Sequence, residues 1–228
     1  WAGNGGLDWD VVKNIMLKEL DGIDADIFIY TPNAQIKEIL DKERTKLTPA
    51  RAMLLSVLYE LVKNGEFVSE FAAEKVAYFL QRHGAKEQFK LNFQPYFYGP
   101  YSGKVCHVLY YLNGSYLTGY SAKDKKPFEE LNLLRDAEHE VEAYLDQEEN
   151  QQYKEIADKT KEFLMGFYSP FALELLSSVD YIVQNSNAAT PDQVREHLME
   201  WNQRKRTLFS KPQFVDIAVD ALQTRMMN

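Results

Sequence analysis

Tyr98-Gly-Pro-Tyr101 lies between two apolar helical stripes, and a glycine followed by proline at such a place forces the chain to reverse. Glycine supplies φ values that other residues avoid, and proline presets φ for the start of a helix. Ahead of the pair, Phe71, Val76, Phe79 and Leu80 recur near 3.6 residues per turn, which predicts a helix that Gly84 ends. Phe89, Leu91 and Phe93 then alternate with polar residues, as a half-buried strand does. Beyond the pair, Val105, Val108, Leu109 and Leu112 predict a helix over 101–112. Asn113-Gly114 breaks it, and Tyr116-Leu117-Thr118 resumes as a strand.

Helix starts dominate the rest of the chain. Thr48-Pro49 pairs a capping hydroxyl with proline at the first helical position, and Met53, Leu54, Val57, Leu58 and Leu61 follow. Ser69 caps the next helix. Helices are also predicted at 137–146 and 151–167, from Pro170, from Thr190-Pro191, and after Ser210 with Pro212 just inside. The helix from Pro170 is apolar on most faces, which places it centrally. A strand is expected around Leu131 to Leu134. Residues 1–33 read differently: a Gly3-Asn4-Gly5-Gly6 loop, a helix begun by Asp8, and a strand-like run from Ala25 to Tyr30. Residues 34–47 read as a charged linker and 48–228 as one helical domain. The fold class expected is mainly α (α+β), with two helices, a third helix and a strand pair in a winged-helix-like order.

Composition narrows the function. A single cysteine, Cys106, excludes an internal disulfide and fits a reducing compartment. No stretch reaches the roughly 20 apolar residues that span a bilayer. No leader pattern is visible, so a cytoplasmic monomer is expected. The net charge is −8, and 124–162 alone holds 13 acidic against 6 basic residues. That balance argues against a nucleic-acid binder, which usually carries a basic patch. The helix over 101–112 adds only Lys104.

The residues offer little catalytic patterning. His83, His107, His139 and His197 lack metal-ligand spacing, and no nucleotide fingerprint occurs. Cys106 sits in an apolar stripe and reads as a structural thiol. No metal or cofactor is expected. The Gly3–Gly6 loop leads into a helix N-terminus, a place suited to phosphate. Glu138, Glu140 and Glu142, with Tyr98 and Tyr101, are the candidate partner-binding residues: spaced carboxylates and rings resemble a DNA strand in outline. Arg204-Lys205-Arg206 is the one dense basic run, most simply a helix-end charge complement.

Three ordered stretches are similar to the C-terminal half of the DarG family: 98–120, Gly166–Leu176 with Ser178-Val179, and Trp201–Phe209. Together they cover roughly 70–228. Residues 1–33 resemble the end of a macro domain, whose loop Gly3, Asn4, Gly5, Gly6 would hold ADP-ribose phosphate only in a complete domain. The resemblance implies an antitoxin half that binds and inhibits DarT, a toxin that ADP-ribosylates single-stranded DNA; the acidic and aromatic residues add the expectation that it does so by filling the toxin's DNA groove. On this reading the chain is not an enzyme, and the glycohydrolase activity belongs to the missing macro domain. The alternative is a winged-helix DNA-binding regulator.

Overall fold

Thr48 opens the first helix of the larger unit by accepting a hydrogen bond from the Arg51 amide at 3.4 Å, with Pro49 at the first helical position. The computed structural model describes residues 9–29, 44–120, 126–186, 188 and 190–225. The chain divides into two compact units, 1–33 and 34–228.

In the smaller unit α1 spans Trp9–Glu19. The run expected as a strand carries none over its described residues, 25–29. A strand needs a neighbouring edge for its backbone groups, and the described residues of this unit offer none. The Gly3–Gly6 loop lies outside the described residues.

The larger unit is mainly helical, as expected. Helix α2 (Pro49–Lys63) buries Met53, Leu54, Val57, Leu58 and Leu61. Helix α3 (Glu70–Leu80) is capped by Ser69, whose hydroxyl accepts from the Ala72 amide at 3.2 Å. The helical path breaks at Gly84, as expected. Residues 81–85 form a π-turn with Gly84 at φ +124°, and the chain continues as α4 (Lys86–Phe89) until Lys90 enters the left-handed region. The expected strand through Phe89, Leu91 and Phe93 is therefore absent. The Gln81 amide donates to the Leu91 carbonyl and accepts from the Leu91 N–H, both at 2.9 Å, so a side chain replaces a ladder partner.

The reversal comes one step later. β1 (Gln94–Tyr96) pairs antiparallel with β2 (Gly99–Tyr101) around a two-residue turn, Phe97-Tyr98. Pro100 lies in this strand and does not start a helix; α5 begins only at Val105 and runs to Leu112. Pro95 stands opposite Pro100. Antiparallel pairs alternate in bonding, and Tyr96 with Gly99 closes the turn, so the proline pair takes the position whose backbone groups face outward.

β3 (Leu117–Thr118) pairs with β4 (Asn132–Leu133), near the expected 131–134 strand. The remaining helices fall near their predicted starts: α6 (Glu138–Leu145), α7 (Gln151–Leu164), α8 (Pro170–Asn185), α9 (Pro191–Trp201) and α11 (Pro212–Arg225). Like α4, helix α10 (Gln203–Leu208), capped by Asn202, has no counterpart in the sequence-based expectation. Helix α2 packs on α6 and α7; α8 packs on α3, α9, α11 and β2. Arg44–Leu47, the end of the expected linker, is held to the helical unit: Thr45 donates to the Ser115 hydroxyl at 3.0 Å and Leu47 is buried. Among the described residues, no helix is long and apolar enough to cross a membrane.

Candidate functional site

The three sequence stretches meet helix α3 at one buried ionic cluster by the β1–β2 hairpin. Helix α3 supplies Glu74 and Lys75, helix α8 supplies Glu174 and Asp180, and the start of α10 supplies Arg204 and Lys205. Glu174 is 1% exposed and accepts from Lys205 Nζ at 3.0 Å and from Arg204 Nη2 at 3.0 Å. Lys205 also lies over the rings of Trp201 and Phe209, at 5.3 and 5.4 Å. Burial pulls its pKa below the ordinary lysine value. Arg204 and Lys205 thus turn inward and do not serve as the helix-end complement expected of them.

Lys75 is the second buried ammonium. Its Nζ donates to the Pro100 carbonyl at 2.7 Å, the group that the proline pairing leaves outward. Burial lowers this lysine to about 7. Next to it, Glu74 accepts from the Ser102 amide at 3.2 Å and from the Ser102 hydroxyl at 3.1 Å, and burial raises its pKa. One turn on, Asp180 accepts from Tyr78 at 2.6 Å and from Arg82 Nε at 2.7 Å.

The hairpin is clamped from outside as well. Trp201 Nε1 donates to the Tyr96 carbonyl at 2.9 Å and Asn202 Nδ2 to the Phe97 carbonyl at 3.0 Å. Arg204 lies 5.0 Å from the Tyr98 ring centre. Gly99 holds φ +100°, and a Cβ there would come within 2.8 Å of the Ser178 hydroxyl. Glycine is required at this contact for both reasons.

The predicted partner residues divide between two places. Tyr98 and Tyr101 belong to the hairpin, Tyr101 stacked on Tyr96 at 5.3 Å. Glu138, Glu140 and Glu142 lie on α6. Glu138 pairs with Lys63 at 2.7 Å. Glu140 accepts from Arg44 at 2.7 Å and from Tyr116 at 2.8 Å, which together hold its pKa down against burial. Glu142 is exposed. Cys106 is half-buried, donates to the Gly103 carbonyl and has its pKa raised by burial, which does not favour a nucleophilic thiolate.

His83 lines a cavity of about 420 Å³ with Arg82, Asp180 and Thr190. Thr160 spends its hydroxyl proton on the Ile156 carbonyl at 2.8 Å, so His83 Nδ1 is the donor in their 2.9 Å contact. Among the described residues its Nε2 is buried without a hydrogen-bond partner, and burial lowers its pKa to about 4. The imidazole is therefore neutral.

Residue type alone did not expose Glu74, Lys75, Glu174 and Lys205. The available signal was charge placed within otherwise apolar turns, Phe71-Ala-Ala-Glu-Lys-Val76 and Leu173-Glu-Leu-Leu176.

These features define a mainly helical protein whose α3, α8 and α10 lock a hairpin through buried ion pairs. No protein-family model matches the chain. It is 33% identical over 228 residues to a protein named DNA ADP-ribosyl glycohydrolase from Thermus aquaticus, covering 98% of this chain and 61% of that protein. Proteins of the same name from Mycobacterium bovis and Mycobacterium tuberculosis are 24% identical over 234 residues, covering 97% of this chain and 66% of theirs. The chain thus spans less than two thirds of the length of these relatives.

These similarities correct the expected identity. They run along nearly the whole chain and are not confined to 70–228, and each protein carries the name of an enzyme. The chain is accordingly not read as a non-enzymatic antitoxin half behind a truncated macro domain, nor as a DNA mimic or a winged-helix regulator. The three motifs of the helical unit carried the expectation, whereas the similarity also takes in the stretch ahead of residue 70.

Proposed function

We propose that the protein acts as a DNA ADP-ribosyl glycohydrolase. Water adds across the glycosidic bond between ADP-ribose and a DNA base: the ribose carbon takes the hydroxyl, and the base nitrogen takes the proton. One observation carries this proposal, the 33% identity along 98% of the chain to a protein of that name.

Gly3-Asn4-Gly5-Gly6 leads into α1, an eleven-residue helix with Asp10 in its first turn. Within the proposal this loop holds the pyrophosphate of ADP-ribose, because glycine lets backbone amides approach phosphate closely. A DarT-type transferase, the writer of the mark, is carried forward as the proposed protein partner, and copurification checks it.

The test uses the longest natural form of the protein and a single-stranded oligonucleotide bearing one ADP-ribosylated base. Release of free ADP-ribose, followed by mass spectrometry, is the expected result. Gly5→Val lowers the rate by roughly 100-fold, because misplacing a bound substrate by an ångström costs about that much. An intact modified oligonucleotide after prolonged incubation with the folded protein refutes the proposal.

A further inference from the structure

A cavity of about 110 Å³ opens beside the hairpin, walled by Tyr96, Tyr98 and Tyr101, with Phe71 beneath and Glu70 and Glu74 on the α3 side. Tyr96 and Tyr101 stack at 5.3 Å with ring planes 27° apart, while Tyr98 meets Phe71 edge-on at 6.2 Å. Aromatic faces carry negative charge density and attract cations. Lys75 also lines the cavity, with its ammonium 5.3 Å from the Phe71 ring centre.

The charges around the cavity are unequal. Lys75 Nζ is turned to the Pro100 carbonyl, and burial brings it down to about 7. Glu74 is occupied with Ser102. Glu70 accepts a 2.6 Å bond from Tyr120 through Oε2 and lies nearer solvent than Glu74. Glu70 is therefore the carboxylate placed to meet an entering charge. Tyr96, which lines the cavity, and its chain neighbour Phe97 are 62% and 49% exposed, an apolar surface that a protein would cover and a small amine would leave wet.

We propose that this cavity receives the guanidinium end of an arginine side chain on a partner protein, seated against Tyr96 and Tyr101 with Glu70 as its counter-charge. This inference does not depend on the glycohydrolase reading.

Calorimetric titration of the full chain with a tetra-arginine peptide at physiological salt tests it. Wild type binds the peptide, and the matching tetra-citrulline peptide, neutral but nearly the same shape, does not. Glu70→Gln, which keeps a partner for Tyr120, weakens binding by about five-fold, and Tyr101→Leu by a similar factor, while Tyr101→Phe retains it. Glu148→Gln, on an exposed turn elsewhere, leaves binding unchanged. Equal weakening by Glu148→Gln and Glu70→Gln shows only general attraction to an acidic surface and overturns the proposal, as does absence of binding by the folded wild type. A free arginine amide that binds as tightly as the peptide overturns the protein-borne source.

Discussion

Glu174 and Lys205 face each other at 3.0 Å, from the second turn of α8 and the start of α10, with side chains 1% and 0% exposed. Desolvating two charges costs several kcal/mol each, and the pair is tolerable because each partner neutralises the other. Arg204 then supplies further donors to the same carboxylate.

Glu174→Gln strands Lys205 in the interior and should lower unfolding stability by roughly 3–5 kcal/mol. The double variant Glu174→Gln with Lys205→Met should recover most of that loss. Urea unfolding of the two variants and wild type checks this. A double variant no more stable than the single one shows that the pair does more than cancel buried charge.

Gly99→Ala places a methyl about where the Ser178 hydroxyl sits, at a φ that alanine avoids. The expected loss is about 1–3 kcal/mol. Adding Ser178→Ala should relieve the clash and leave the backbone cost, so only part of the stability returns. Complete recovery on thermal melting contradicts the backbone contribution.

The neutral imidazole of His83 makes stability depend on pH. Its pKa is about 4 in the fold, against an ordinary value of 6.5. The unfolded chain therefore binds the proton first. The stability tied to His83 is fully present above pH 6.5 and drains as pH falls from 6.5 toward 4, up to about 3 kcal/mol. His83→Phe should flatten that part of the profile. Urea midpoints measured across the window decide the matter, and parallel profiles for the two proteins rule it out.

Trp201→Phe removes the donor to the Tyr96 carbonyl while keeping an aromatic ring beside Tyr181. The expected cost is about 1 kcal/mol. It should fall locally, as faster amide hydrogen exchange across residues 94–101, with α2 protected as before. Uniformly faster exchange throughout the helical unit tells against a clamp that acts only on the hairpin.

Helix positions were legible because their determinants are local. Thr48, Ser69, Ser169 and Thr190 each cap the helix that follows, and every such bond closes within three residues. The importance of Tyr98-Gly-Pro-Tyr101 was also legible, though its structure was misread: Pro100 pairs in a strand and starts no helix. Alternation at Phe89, Leu91 and Phe93 misled because a helix end followed by side-chain bonding to Gln81 produces the same pattern.

By itself, the sequence determined a mainly helical chain, most of its helix starts, and the three stretches that matter most to its larger unit. Only the tertiary structure decided which charges are buried and with whom. Tyr78 finds Asp180 across 102 positions, and Lys205 finds Glu174 across 31. Helical hydrogen bonds close within one turn and leave their mark on neighbouring residues. An ion pair between elements leaves none, because its stability depends on the desolvation that only packing creates.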